Sequence, residues 1–126
     1  PDIVSFFEDN STADMFRQEM ETSDIVLSTS TVTFKGMGTT EYIGKTKPTA
    51  AIHDMMTYEL PGLLPAHLQI PVNLTGSAFN YSGAKELIEI LERLLADKTI
   101  IQEWKHNAKT NSLKFTASEI RKGLPF

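Results

Sequence analysis

Cysteine is absent from this 126-residue chain, tryptophan occurs once, and no apolar run is long enough to span a membrane. The missing thiols exclude a disulfide framework, a thiolate nucleophile, a sulfur-bound zinc and an iron–sulfur cluster. A reducing, cytoplasmic setting is therefore expected. The opening residues, Pro1 to Asp9, lack the basic stretch and long apolar core of a secretion signal, which fits a soluble protein without membrane contact. Positive charge is also scarce. Lys and Arg number 12 against 16 Asp and Glu, a formal charge of -4 at pH 7, whereas nucleic-acid modules usually carry a basic excess. Repeats and low-complexity runs are missing, and the stretch from Pro61 to Pro71 is too apolar to be a free linker. One domain covering residues 1–126 is the simplest organisation. A chain of this size buries roughly two-thirds of its unfolded surface, enough for a core without staples.

Catalytic signatures are missing as well. His53, His67 and His106 are the only histidines, none spaced as a metal pair on one helix, and neither His-Glu-x-x-His nor Gly-x-Ser-x-Gly occurs. Neither a metal nor a cofactor is expected. Gly38 to Thr46 has the look of a phosphate-cradling loop. It carries five residues between its glycines rather than four, however, and Pro48 stands where a helix N-terminus is required. Asn10, Asn73 and Asn80 each begin a glycosylation triplet, a pattern that so many Ser and Thr residues generate by chance.

What is present is a polarised charge pattern and a set of periodic segments. Residues 1–30 hold seven acids against Arg17 alone, and residues 97–126 hold six bases against three acids. Opposite poles of this kind read first as solvated faces, and secondly as a field that steers self-association or a charged partner. The first helix is expected from Ser11, a capping hydroxyl with Asp14 three residues on, to about Thr22, with Ala13, Phe16 and Met20 on one face. The segment before it, with Ile3, Phe6 and Phe7, fits a helical turn or a packed arm equally well. Ile25 to Phe34 reads as a strand with a bulge near Ser28 to Ser30. Gly36-Met37-Gly38 turns it into a second strand, Thr40 to Lys45. Thr49 to Leu60 fits both periods: Ala50, Ile52, Met56, Tyr58 and Leu60 share a strand face, and Ile52, Met55, Met56 and Leu60 share a helix face. The strand reading is preferred.

Leu68, Ile70, Val72 and Leu74 alternate with polar residues as a half-buried strand, which Pro71 assigns to a sheet edge. Gly83 to about Ala96 is the clearest helix, capped by Ser82, with Ala84, Leu87, Ile88, Leu91, Leu94 and Leu95 as its apolar series. Thr99 to Lys105 and Ser112 to Ala117 read as a second hairpin around the Asn-rich turn 106–111. Thr116 and Glu119 form a capping box for a short last helix that Gly123 stops. The fold class expected is α+β: a mainly antiparallel sheet packed by one long amphipathic helix, with N-terminal and short C-terminal helices. That order of elements is loosely similar to that of the small acidic homodimeric chaperones of bacterial secretion systems.

Three functional readings follow. The first is a non-catalytic protein-binding or assembly module, chaperone-, inhibitor- or structural-subunit-like, binding a protein partner or a second copy of itself. It would use Leu63 and Leu64 in an apolar loop and Leu68, Ile70 and Val72 on the edge strand. The second is a small enzyme or small-molecule receptor. Its pocket would lie between the sheet and the helix of Gly83 to Ala96, lined by Met55, Met56 and Tyr58 and marked by His53 and Asp54, an acid beside a histidine on a core face. In the third, Trp104 stacks a base while Lys105, His106, Lys109 and Lys114 meet phosphates. The net acidity argues against it.

Overall fold

The computed structural model describes residues 12–29, 32–42 and 49–125. Strands β1 (Val26–Leu27), β4 (Gly62–Pro65) and β5 (Ala78–Tyr81) form one sheet in that order, and both pairings are parallel. Strands β2 (Thr33–Gly36) and β3 (Thr39–Tyr42) form a separate antiparallel hairpin. The mainly antiparallel sheet expected from the sequence is therefore corrected: the central sheet is wholly parallel. The element order behind the chaperone similarity goes with it.

A parallel sheet needs both faces covered, and its strands then read as continuous apolar runs instead of alternating ones. Leu60 to Leu64 is such a run, buried at every residue, with Leu63 and Leu64 both at 0 % exposure. Its prolines and lack of alternation suggest a loop; from Gly62 to Pro65 the chain is instead the middle strand. Successive residues face opposite layers. Leu64, Ala78 and Val26 pack with Met55, Leu68 and Leu74 on one side, while Leu63, Phe79 and Ile25 pack with Ile90, Leu94 and Trp104 on the other.

Helix α1 (Ala13–Thr22) is capped by Thr12, whose hydroxyl accepts from the Met15 N–H at 3.2 Å; Ser11 lies outside the described residues, as do Asn10 and the segment with Ile3, Phe6 and Phe7. The single strand expected over Ile25 to Phe34 is instead two strands of different sheets. The expected bulge reaches Ser30, which is outside the described residues. The hairpin turn is as read: Met37 and Gly38 both take positive φ, as a two-residue hairpin loop requires. Of the strand expected over 40–45, and of the phosphate-loop-like stretch to Thr46, residues from 43 onward lie outside the described set.

Residues 49–60 are helical, not a strand. Thr49 caps α2 (Ala50–Tyr58) by accepting from the Ala51 N–H, and Glu59 ends it in the left-handed region, where the Leu60 N–H reaches the Met55 carbonyl at 3.0 Å. Two alanines and a buried Met55 decide the period that the β-branched and aromatic residues left open. Nor is Leu68 to Leu74 an edge strand. Pro71 opens a single 3-10 turn (Val72–Leu74), and i to i+3 bonds from Leu68, Leu74 and Thr75 replace a ladder. The expected second hairpin is one helix, α4 (Lys98–Leu113), capped by Asp97. Its Asn107 and Asn111 do not turn the chain; they bind the carbonyls of Gly76 and Thr75. Helix α3 (Gly83–Ala96) and the short α5 (Ala117–Lys122) stand where the sequence put them. Thr116 caps α5 through the Glu119 N–H, and at α3 the Glu86 carboxylate, not the Ser82 hydroxyl, takes the capping hydrogen bond. Helices α3 and α4 cover one sheet face, and α2 with the 68–74 segment covers the other.

Candidate interaction surface

Helix α3 carries more apolar surface than its core contacts use. Ile90 and Leu94 are 8 % exposed, against 53 % for Ile88 and 80 % for Leu95. At 100° per residue, Ile90 and Leu94 mark the inward arc, while Ala84, Ile88 and Leu95 fall together on its flank. The helix therefore has two apolar arcs, one buried and one open. At its C-terminal end the open arc runs into a groove of about 470 Å³ lined by Ile25, Leu94, Leu95 and Ile101, with Asp24, Lys98 and Lys105 around it. Lys105 and Asp24 are paired at 2.9 Å. Beside the groove lies β1, an edge strand of the sheet. Its Val26 and Ser28 N–H groups donate to Pro61 and Leu63, so the intervening Leu27 points its N–H to the outer side, and its side chain is also exposed.

The partner-binding residues read from the sequence occupy other places. Leu63, Leu64 and Leu68 lie wholly inside the core, Ile70 packs against it, and only Val72 stands in solvent, at 82 % exposure. The first three are unreachable by a partner of the folded chain. The sequence places Ile88 and Leu95 in the apolar series of α3 without marking them as a binding surface. The available signal was the width of that series, which is more than one buried face consumes.

His53 and Asp54 are consecutive on a helix and so point about 100° apart. His53 Nε2 lies 3.4 Å from the Thr57 hydroxyl, one turn on, with no carboxylate partner among the described residues. His53 does border two clefts. One, of about 420 Å³, lies between α2 and the 68–71 segment and is lined by Thr49, Ile52, His53, Met56, Leu68 and Pro71; the other lies between α2 and the end of α4. Neither is the expected pocket between the sheet and the helix of residues 83–96. Met55 is core and borders neither cleft.

Trp104 stacks on Phe79, centroids 3.9 Å apart, and the small cleft beside the pair is lined by Glu86, Glu89 and Arg93. Lys105, Lys109 and Lys114 follow along α4; Lys105 is engaged with Asp24 and Lys114 with the Asn111 carboxamide. The phosphate-binding constellation is thus not assembled around the ring: one face is covered by Phe79, and two carboxylates line the space next to it. Among the described residues no three His, Asp or Glu side chains converge as a metal set, and no helix is long and apolar enough to cross a membrane. Comparison with protein-family models, with curated proteins and with solved structures yields no match to this chain.

Proposed function

We propose that this protein is a non-catalytic assembly module that self-associates through the open arc of α3 and the groove at its end. The observation that carries the reading is Leu95, 80 % exposed one residue after a Leu94 that is 8 % exposed. Leaving apolar side chains of this size in water costs about 25 cal/mol per Å², a cost that burial against a partner removes. The edge strand β1 alongside adds the outward Leu27 N–H, which has no partner among the described residues, a backbone group of the kind partners use. Sedimentation equilibrium of the full chain tests this. A concentration-dependent oligomer is expected, and Leu95→Asp should weaken it by about tenfold or more while the fold persists, because Leu95 has little to do with the core. A chain monomeric at every concentration, or a Leu95→Asp oligomer as tight as the original, overturns it.

The cleft at His53 favours a second reading, a receptor for a small, mainly apolar and uncharged molecule, since Ile52, Met56, Leu68 and Pro71 dominate its walls and, among the described residues, no Asp, Glu, Lys or Arg lines it. Thermal stabilisation by members of a neutral fragment set, lost in His53→Ala and Met56→Ala, is the expected sign. Fragments that shift both variants as they shift the parent exclude the site.

A further inference from the structure

We infer that the partner on this face is a second copy of the chain whose α3 runs antiparallel to the first across a two-fold axis; this rests on the self-association proposed above. Ala84, Ile88, Leu91 and Leu95 recur at intervals of four, three and four residues, the spacing of a coiled-coil seam. Ala84, Ile88 and Leu95 are exposed and Leu91 is half-buried, so the seam lies beside the arc that Ile90 and Leu94 bury. A helix with adjoining apolar arcs can pack inward and outward at once.

Charge supplies the orientation. Lys85 and Glu92 flank the seam on its solvent side, one heptad apart and both exposed, and neither forms an ion pair with a described residue. In an antiparallel pair such flanking positions meet their own counterparts, so Lys85 comes to face Glu92 of the second copy, and by symmetry Glu92 faces its Lys85. Both contacts are attractive. In a parallel pair Glu92 instead faces the position of Leu87, which belongs to the core of its own chain, and Lys85 faces position 80, before the helix begins, so neither meets an opposite charge. The arrangement is isologous: two copies satisfy the seam, and the contact closes without growing into a filament.

Charge reversal on the full-length chain tests the pairing. Lys85→Glu and Glu92→Lys each create two like-charged contacts per dimer and should raise the dimer dissociation constant by roughly fivefold to tenfold in sedimentation equilibrium at low salt. The chain carrying both reversals should return to the parental value. Equimolar Lys85→Glu and Glu92→Lys chains should form a mixed dimer tighter than either alone, resolved by native mass spectrometry. Far-UV circular dichroism confirms that each variant is folded, which the exposure of both positions favours. A dimer that forms but ignores both substitutions, singly and combined, overturns the antiparallel pairing and leaves self-association through another face standing. A monomeric parent chain overturns both.

Discussion

The Asn111 carboxamide donates to the Ser77 hydroxyl at 3.0 Å and to the Thr75 carbonyl at 3.1 Å, and both Asn111 and Ser77 are buried. The Ser77 hydroxyl in turn donates to the Leu74 carbonyl, and one helical turn before Asn111, Asn107 donates to the Gly76 carbonyl. Two asparagines of α4 thus hold the turn that leads into β5. Asn111→Leu removes the donor shared by the Thr75 carbonyl and the buried Ser77 hydroxyl oxygen, while the Ser77 hydroxyl keeps its bond to the Leu74 carbonyl. A loss of about 1–3 kcal/mol is expected in denaturant unfolding, and Asn111→Leu combined with Ser77→Ala should recover part of it.

At Gly62 the backbone of β4 lies directly against the Met55 side chain of α2. A Cβ placed there would run into the Met55 thioether, itself buried among Leu64, Leu68 and Leu74. Gly62→Val should cost about 1–3 kcal/mol by overpacking. Gly62→Val with Met55→Ala should cost less than the two single changes summed, because the truncated side chain makes room. Additive losses in chemical denaturation would refute this account.

Asp97 caps α4 with its carboxylate, which accepts from the Thr99 hydroxyl at 2.5 Å and the Thr99 N–H at 3.0 Å. The hydroxyl first, and then the backbone N–H, hold its pKa below the usual 3.8. Because the folded-state value is depressed, the stabilisation is present above pH 3.8 and disappears as pH falls through the lower folded value. Asp97→Ala should therefore lower Tm by a few degrees at pH 7, and the gap to the parent chain should narrow below about pH 4. A gap of constant size down to the acid limit contradicts the assignment.

Trp104, stacked on Phe79, is the chain's one tryptophan. Phe79→Ala should shift its emission and cost about 2–3 kcal/mol, a large side chain lost from a partly buried site together with an aromatic contact. With Phe79 over one face and Glu86 and Glu89 lining the neighbouring cleft, adding single-stranded oligonucleotide should leave that emission unchanged even at low salt. Salt-sensitive quenching would show that the ring is open to bases after all.

The elements legible in the sequence are those whose causes are local. Thr116 and Glu119 sit three residues apart and form the cap of α5 that the spacing announces. Met37-Gly38 needs only its own backbone to turn the hairpin, and the α3 series needs only a period of 3.6. Errors cluster where the deciding partner lies far along the chain. Asn107 and Asn111 resemble turn residues until Thr75, Gly76 and Ser77 are found across from them. The proposed interaction surface is half legible: Ile88 and Leu95 are apolar in the sequence, but exposure is a property of neighbours.

By itself, then, the chemistry of the chain determined the absence of thiol chemistry, the opposed charge poles, and the helices and turn that close on local hydrogen bonds. Tertiary structure alone decided that the buried run Leu60 to Leu64 leads into a central parallel strand, Gly62–Pro65, since only layers on both faces make an unbroken apolar run favourable there. It also decided which α3 residues remain in water. One period of 3.6 carries both arcs, and the sheet and α4 have room to bury only one of them.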